Sequence, residues 1–189
     1  SFTRDTRQRL ANRSMRRLNH EHIYHFPLLA DNGLDLDTIT PGLKERTRQL
    51  IANAEYVDAV SELGSLYLED GDCLLHGDFY PGSWVSSSDD VWVIDPEFCF
   101  FGPGEFDIGI LIGHLLLAGR ELSYAHRVFA YYTPSTAFDV ELALRFAGIE
   151  IMRRIVGVAQ LPLRADLKYK GELLDLSERL VLKPQRMLP

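Results

Sequence analysis

One segment, residues 105–118 with the sequence EFDIGILIGHLLLA, is apolar on nearly every face that a helix would present. A helix of this kind cannot lie on a protein surface, because water would contact one of its apolar faces. The segment is also interrupted by His114 and is too short to span a bilayer. The rest of the chain is therefore predicted to pack around a central buried helix.

Helical periodicity recurs on both sides of this segment. Apolar residues at three- and four-residue steps predict an amphipathic helix over residues 43–69. Further helices are predicted at three places, over residues 123–132, over residues 139–160 with Asp139 as the N-cap, and over residues 172–182. Residues 1–42 contain many turn-forming residues and predict an irregular lead-in segment.

Short strand-like runs lie in the middle of the chain. They read CLLHGD, SWVS and VWVID, and they have the apolar composition of buried strands. The polar turn over residues 86–90 joins the last two into a predicted hairpin. The predicted fold class is mostly α with a small β-hairpin insertion (α+β), in a single domain over residues 1–189.

The overall charge restricts the classes of partner. The formal net charge is −7, whereas nucleic acids and anionic membranes are held by clustered Lys and Arg. The first residues, SFTRDTRQRL, contain no apolar stretch of the kind found in secretory signals. We therefore expect a cytoplasmic protein with no nucleic-acid partner and no membrane partner.

Three carboxylates follow the strand-like runs. Asp78 comes directly after LLHG, and Asp95 and Glu97 flank Pro96 after VWVI. A carboxylate on a loop can orient a hydroxyl and receive its proton, and a rigid turn with two carboxylates suits Mg²⁺. A single acidic loop residue is more often a solvated turn residue. The order and the apolar approaches of all three favour a phosphoryl-transfer site.

The segments HGDFYPGS and VIDPEFCFFGPGEFDIG resemble the catalytic core of the aminoglycoside-phosphotransferase-like kinases, and they are most similar to the methylthioribose kinases. This resemblance implies the C-terminal lobe of a protein-kinase-like fold. It implies that Asp78 is the catalytic base and contacts the substrate, and that Asp95 and Glu97 are Mg²⁺ ligands. It further implies that His76 and Asp107 support the catalytic loop, with Asp107 accepting backbone N–H bonds.

Two positions depart from the wider family. Tyr80 occupies the place of the second His that is frequent in the H-G-D-x-H loop, and Ser83 stands where related kinases often place a metal-binding Asn. Ser at this position fits the methylthioribose kinases better than the antibiotic kinases. Tyr80 leaves the exact substrate open.

An arginine pair lies in the predicted helix over residues 139–160. Arg153 and Arg154 are surrounded by apolar residues in AGIEIMRRIVGVAQ, and buried guanidinium groups require partners. Glu150 is three and four residues earlier and can reach either arginine, although one carboxylate is less suited to satisfy both. The resemblance implies that Arg153 and Arg154 bind the hydroxyls of methylthioribose beside Asp78.

The sequence lacks the other half of a kinase. It contains no phosphate-covering glycine loop, no phosphate-binding lysine and no hinge, and GPGEFDIG has the wrong spacing for G-x-G-x-x-G. We therefore expect the N-terminal lobe to be absent from this chain, which would be a fragment or a shortened form with weak or no activity alone.

The resemblance implies an ATP-dependent kinase that uses Mg²⁺ and phosphorylates the 1-hydroxyl of S-methyl-5-thioribose in methionine salvage. A homodimer is compatible with this interpretation. Two alternatives stay open: a phosphotransferase that acts on an aminoglycoside, choline or homoserine, and a non-catalytic binding protein that keeps the kinase-like fold.

Overall fold

The computed structural model describes residues 2–134 and 137–188. It is mostly helical, as predicted, and it contains two small antiparallel sheets where the sequence predicted one hairpin. In chain order the elements are α1 (Arg4–Arg9), α2 (Arg13–His20), α3 (Leu36–Ile39), α4 (Leu43–Ile51), α5 (Ala54–Leu68), β1 (Cys73–Leu75), β2 (Trp84–Ser86), β3 (Val91–Val93), β4 (Phe100–Gly102), α6 (Glu105–Leu117), α7 (Ser123–Tyr131), α8 (Val140–Val156) and α9 (Leu167–Leu182).

Helix α6 is the buried centre of the fold. It packs along α8, which in turn packs against α9. The two helices approach closely because α6 presents glycines to α8, and a Cβ added at Gly113 would lie 2.7 Å from the Cβ of Glu150. Ile110 and Ile112 are almost completely enclosed. The prediction of a central buried helix is confirmed.

The ends of the later helices follow their capping residues. Asp139 caps α8 as predicted, since its Oδ1 accepts from the backbone N–H groups of Glu141 and Leu142. Helix α8 ends at Val156, earlier than the predicted residue 160, and Gly157 follows it. Helix α9 begins well before the predicted residue 172, because Asp166 caps its first turn.

The helix predicted over residues 43–69 is two helices. Helix α4 ends at Ile51, and α5 begins after Asn53, whose side chain accepts from the backbone N–H of Tyr56. An apolar pattern alone does not reveal this break, because its three- and four-residue steps continue through it. The polar cap decides where the second helix starts.

The expectation of an irregular segment over residues 1–42 is wrong for much of its length. Helices α1 and α2 lie there, followed by a π-helical turn over Glu21–His25. Arg16 of α2 is buried and donates to the carbonyls of Tyr67 and Glu69. The segment is ordered by these distant hydrogen bonds, which no local sequence pattern reports.

The two sheets position the loops that follow their strands. The predicted hairpin is confirmed as β2 paired with β3, with Trp84 opposite Val93. Strand β1 pairs antiparallel with β4, with Leu75 opposite Phe100. The loop after β1 and the turn before β4 therefore lie at the same end of this sheet, which brings residues 76–78 beside residues 95–97.

The expectation that the strand-like runs are buried is wrong for the hairpin. The exposed fractions of Val91, Trp92 and Val93 are 66%, 62% and 52%. Successive side chains of a strand point to opposite faces, so the described residues cover neither face of β3. Within residues 2–134 and 137–188, no helix is both long enough and apolar enough to pass through a membrane.

Candidate functional site

The loop after β1 depends on a glycine. Gly77 has a φ of +87°, a conformation that L side chains rarely adopt. A Cβ at this position would overlap the carbonyl oxygen and the side chain of Phe98. The glycine thus lets the loop pass against the turn that precedes β4, and it sets the direction in which Asp78 leaves the strand.

Asp107 holds this loop from the first turn of α6. One carboxylate oxygen accepts from the backbone N–H of His76 at 2.6 Å, and the other accepts from that of Gly77 at 3.0 Å. Burial raises the pKa of Asp107, while the two backbone donors act in the opposite direction. The backbone contacts expected for Asp107 are present in the structure.

His76 connects the loop to the carboxylate turn. Its Nε2–H donates to the carbonyl of Ile94 at 2.7 Å, and its Nδ1 accepts from the backbone N–H of Asp78 at 3.3 Å. These partners assign the neutral tautomer with the proton on Nε2. Ile94 directly precedes Asp95, so one imidazole fixes the start of both acidic segments.

Ser83 closes the far side of the loop. Its hydroxyl donates to the carbonyl of Asp78 at 2.9 Å, and its own carbonyl accepts from the N–H of Ile94 at 2.9 Å. The residue is buried. At the place where related kinases often carry a metal-binding Asn, this chain therefore has a hydroxyl that braces the loop of Asp78.

Asp78 lies against the arginine pair. Its Oδ1 accepts from Nη2 of Arg154 at 2.9 Å and from Nη2 of Arg153 at 3.3 Å. A quarter of the Asp78 side chain is exposed, against 11% of each arginine side chain. Among the described residues, no group bonds to Oδ2 of Asp78. One oxygen of the carboxylate is thus held by the arginines, and the other has no bonding partner among the described residues.

Glu150 bonds to both arginines. Its Oε1 accepts from Nε of Arg154 at 2.7 Å, and its Oε2 accepts from Nε of Arg153. It does not satisfy them alone, in line with the expectation that one carboxylate is less suited to both, because both guanidinium groups also bond to Asp78. Each arginine keeps an Nη2 group for Asp78. Two carboxylates therefore balance two guanidinium groups in this cluster.

The cluster extends to a histidine and a tyrosine. Glu150 is completely buried, and its Oε1 lies 2.9 Å from Nε2 of His114. Burial by itself raises the pKa of Glu150, but Arg153, His114 and Arg154 together hold that pKa far below its ordinary range. The Tyr80 ring stacks on His114 with centroids 4.4 Å apart, and the Arg154 guanidinium lies 5.6 Å from the Tyr80 centroid.

The second acidic segment forms a tight turn. Asp95 has a φ of +60°, and a short 3₁₀ helix, Pro96–Phe98, follows it. Asp is one of the few residues that tolerate this left-handed conformation. Both Asp95 and Glu97 are exposed. Among the described residues, neither carboxyl has a hydrogen-bond or ion-pair partner.

This turn fits a hard cation by the chemistry of its donors. Mg²⁺ commonly takes one or two protein carboxylates and fills its remaining positions with water and phosphate. Within the described residues, there is no group of three or more His, Cys, Asp or Glu side chains placed to hold a metal ion. The structure therefore offers a two-carboxylate turn and not a complete protein cage, and Asp78 is directed to the arginines.

The predicted residues fall into two assemblies that share the His76 bridge. The loop assembly joins Asp78 with His76 and Asp107, and it meets the arginine pair through the Asp78 carboxylate. The turn assembly holds Asp95 and Glu97. Sequence reasoning missed the contributions of Ser83, His114 and Tyr80 to the first assembly. In the sequence, Ser83 and Tyr80 stood out only as departures from the family pattern, and His114 only as the interruption of the apolar segment.

Comparison with known proteins gives a consistent result. No protein-family model matches the chain. The chain is 32% identical to methylthioribose kinase of Exiguobacterium sibiricum over 71% of its own length, and 32% identical to methylthioribose kinase of Bacillus velezensis over 57%. It is 40% identical to methylthioribose kinase 1 of Oryza sativa subsp. japonica over 42% of its length.

These matches confirm the resemblance to methylthioribose kinases that the two motifs indicated. They cover 42%, 34% and 18% of the three relatives, respectively. The chain thus spans less than half the length of the curated relatives that it matches.

Proposed function

We propose that this chain is the catalytic and sugar-binding part of an ATP-dependent methylthioribose kinase. The observation that best supports the proposal is the contact of one Asp78 oxygen with both Arg153 and Arg154, on a loop held by Asp107. This arrangement places a proton acceptor directly beside hydrogen-bond donors that suit sugar hydroxyls. The relatives named above support the choice of methylthioribose as the sugar.

In this proposal Asp78 works with Oδ2, the oxygen that the arginines leave free. The 1-hydroxyl of the sugar donates a hydrogen bond to Oδ2, and this oxygen receives the proton as the hydroxyl oxygen bonds to the γ-phosphorus of ATP. The bond from that phosphorus to the β–γ bridging oxygen breaks in the same transfer, and ADP leaves. Oδ1 stays on the arginines, which keeps the carboxylate from rotating. The same guanidinium groups bind neighbouring sugar hydroxyls and hold the attacking oxygen in line.

Asp95 and Glu97 hold Mg²⁺ in this proposal. An ion held there by the two carboxylates would neutralise phosphate charge during the transfer. The exposure of both carboxyls and the lack of competing partners among the described residues support the assignment. His76 keeps the turn at a fixed separation from Asp78, because it bonds to the Ile94 carbonyl and to the Asp78 amide.

We also propose that the chain corresponds to the C-terminal lobe of a kinase-like fold, as one domain. The exposed apolar side chains of the β2–β3 hairpin support this assignment, since a soluble protein usually covers such a patch. ATP would then be held between this surface and a further lobe. The proposal includes a cytoplasmic enzyme of methionine salvage without nucleic-acid or membrane partners, and it is compatible with a homodimer.

The test is an ATP-dependent phosphorylation assay with the product of the complete reading frame, run beside the 189-residue chain. We expect methylthioribose 1-phosphate from the complete product and little or none from the chain alone. The chain alone would lack the residues of a further lobe that contact the other side of the γ-phosphate. A substrate panel should include an aminoglycoside, choline and homoserine. Arg153→Lys and Arg154→Lys should raise the KM for methylthioribose, since lysine cannot reproduce the planar fork.

Two results would contradict the proposal. Preferred phosphorylation of another panel member would favour a different phosphotransferase. The lack of any turnover, together with no heat of methylthioribose binding in either the wild type or Arg153→Ala, would favour a non-catalytic binding protein.

A further inference from the structure

The carboxylate turn that precedes β4 is held at both of its ends. At its start, the Ile94 carbonyl accepts from His76, and the Ile94 N–H donates to the Ser83 carbonyl. Within the turn, the N–H of Cys99 donates to the Pro96 carbonyl at 3.0 Å. The left-handed Asp95 lies between these points, and such a conformation persists only where its surroundings determine it.

The far end of the turn is held by Asn12. Its side-chain amide, Nδ2, donates to the carbonyl of Glu97 at 3.0 Å and to that of Cys99 at 3.2 Å. Both bonds span more than eighty positions of the chain. The backbone of Asn12 is in the left-handed conformation, with a φ of 46°, and the residue forms the corner between α1 and α2.

The corner between α1 and α2 is itself held in place by ion pairs and a hydrogen bond. On one side of Asn12, Arg7 donates to the Gly71 carbonyl and pairs with Asp72. On the other side, Arg13 and Arg16 both pair with Asp70 at 2.6 Å. The corner is thus fixed to the segment that leads into β1. Through the two hydrogen bonds of its side-chain amide, Asn12 holds the carboxylate turn against this fixed corner.

We propose that Asn12 is a positioning residue for the metal-binding carboxylates of Asp95 and Glu97. It acts through the backbone, because its amide fixes the carbonyl of Glu97 itself and that of Cys99 two residues later. The two carboxyls are then presented from a preformed turn, and the cation does not have to order it. This inference rests on the proposed Mg²⁺ role of Asp95 and Glu97.

A purely structural role makes a different prediction. If Asn12 only stabilised the fold, its removal would lower the unfolding free energy and leave the affinity for a divalent cation unchanged. If Asn12 positions the turn, its removal weakens cation binding in the folded protein. The informative variant is Asn12→Gly, because glycine tolerates the left-handed backbone while it removes the amide.

The full 189-residue chain is titrated with Mn²⁺ as a probe for Mg²⁺, and bound metal is followed by water-proton relaxation. We expect Asn12→Gly to raise the Mn²⁺ dissociation constant about tenfold or more, since residues that orient metal ligands typically contribute 10- to 100-fold. The matched control is Asn32→Gly, which removes an amide that donates to the Phe26 carbonyl, away from the turn. This control should bind Mn²⁺ like the wild type.

A second measurement does not involve the metal. Hydrogen exchange of the Cys99 amide should accelerate in Asn12→Gly and not in Asn32→Gly. Only Asn12→Gly removes the two hydrogen bonds that hold the far end of the turn. Asp95→Asn supplies the reference for a lost ligand. In the Asp95→Asn background, the added Asn12→Gly substitution should produce little further change in the dissociation constant, as expected for residues that act through one site.

The results separate the two levels of the proposal. If Asp95→Asn weakens Mn²⁺ binding and Asn12→Gly does not, the positioning role is wrong and the metal assignment stands. If Asp95→Asn binds Mn²⁺ like the wild type, the metal assignment is wrong, and the role of Asn12 falls with it. Equal weakening by Asn12→Gly and Asn32→Gly would also overturn the positioning role.

Discussion

Replacement of Glu150 by Gln removes the charge that balances the arginine pair. Glu150 is completely buried and bonds to Arg153 and Arg154, and its Oε1 lies 2.9 Å from Nε2 of His114. Glutamine keeps the size of the side chain, but it has one acceptor oxygen where the carboxylate has two. One guanidinium would then face an amide N–H₂ group, and two buried cations would share Asp78 as their remaining carboxylate.

The expected loss of stability is large. Removal of one partner from a buried ion pair costs about 3–5 kcal/mol, because the other charge is left uncompensated. For a chain of this size each 1 kcal/mol lowers Tm by about 2–4 °C, so the melting temperature should fall by about 6–20 °C. Urea unfolding followed by far-ultraviolet circular dichroism measures the free energy directly.

A matched surface pair provides the control. Glu62 pairs with Arg145 at 2.8 Å, and 72% of the Glu62 side chain is exposed. Glu62→Gln should therefore change the unfolding free energy by about 1 kcal/mol or less. The reasoning is refuted if Glu150→Gln is no more destabilising than Glu62→Gln.

The pH dependence gives a second check on Glu150. Its pKa in the folded protein lies below that of the unfolded chain, so its stabilising contribution is complete above the unfolded pKa and is lost as the pH falls toward the folded pKa. The unfolded value for Glu is about 4.3. The difference in stability between wild type and Glu150→Gln should thus be largest at neutral pH and should shrink below about pH 4.

Three further substitutions test the loop. Asp78→Asn in the complete product should lower kcat by about 10²–10⁴-fold in the phosphorylation assay and keep the circular dichroism spectrum; retained turnover would remove Asp78 from the mechanism. Asp107→Asn should accelerate hydrogen exchange of the His76 amide, and an unchanged exchange rate would show that Asp107 does not hold the loop. Gly77→Ala should lower the melting temperature more than Gly33→Ala. Both glycines are left-handed, and alanine at Gly33 should cost about 1–2 kcal/mol of backbone strain, whereas alanine at Gly77 would also overlap Phe98. Equal melting temperatures would contradict the close contact with Phe98.

Local patterns in the sequence predicted the elements whose formation is decided locally. The apolar segment of α6, the polar turn of the hairpin and the Asp139 cap each act within a few residues, and each was located from the sequence. The break between α4 and α5 was missed because the cap at Asn53 lies inside a continuing apolar pattern. The early start of α9 was missed for the opposite reason, because half of its first residues, LKYKGE, are charged and they show no apolar pattern.

Contacts between distant segments were not predictable in this way. Arg16 orders α2 through carbonyls far along the chain, and Asn12 reaches the carboxylate turn over a still longer separation. In the candidate site, the two motifs pointed to the acidic residues, and the arginines stood out as a charged pair within an apolar predicted helix. The double bonding of Glu150 depends on the rotamers of two arginines, which the helical spacing alone does not fix.

The proposed site requires Asp95 and Glu97 to face the same transfer position as Asp78 and its arginines. The most direct test binds Mn²⁺ to the chain and records the Nε–H signals of Arg153 and Arg154 by NMR. We expect both signals to broaden in the wild type and to remain sharp in Asp95→Asn. If Mn²⁺ binds in an Asp95-dependent manner and leaves both arginine signals unchanged, the metal turn and the sugar-binding cluster do not serve one reaction, and the proposed function is contradicted.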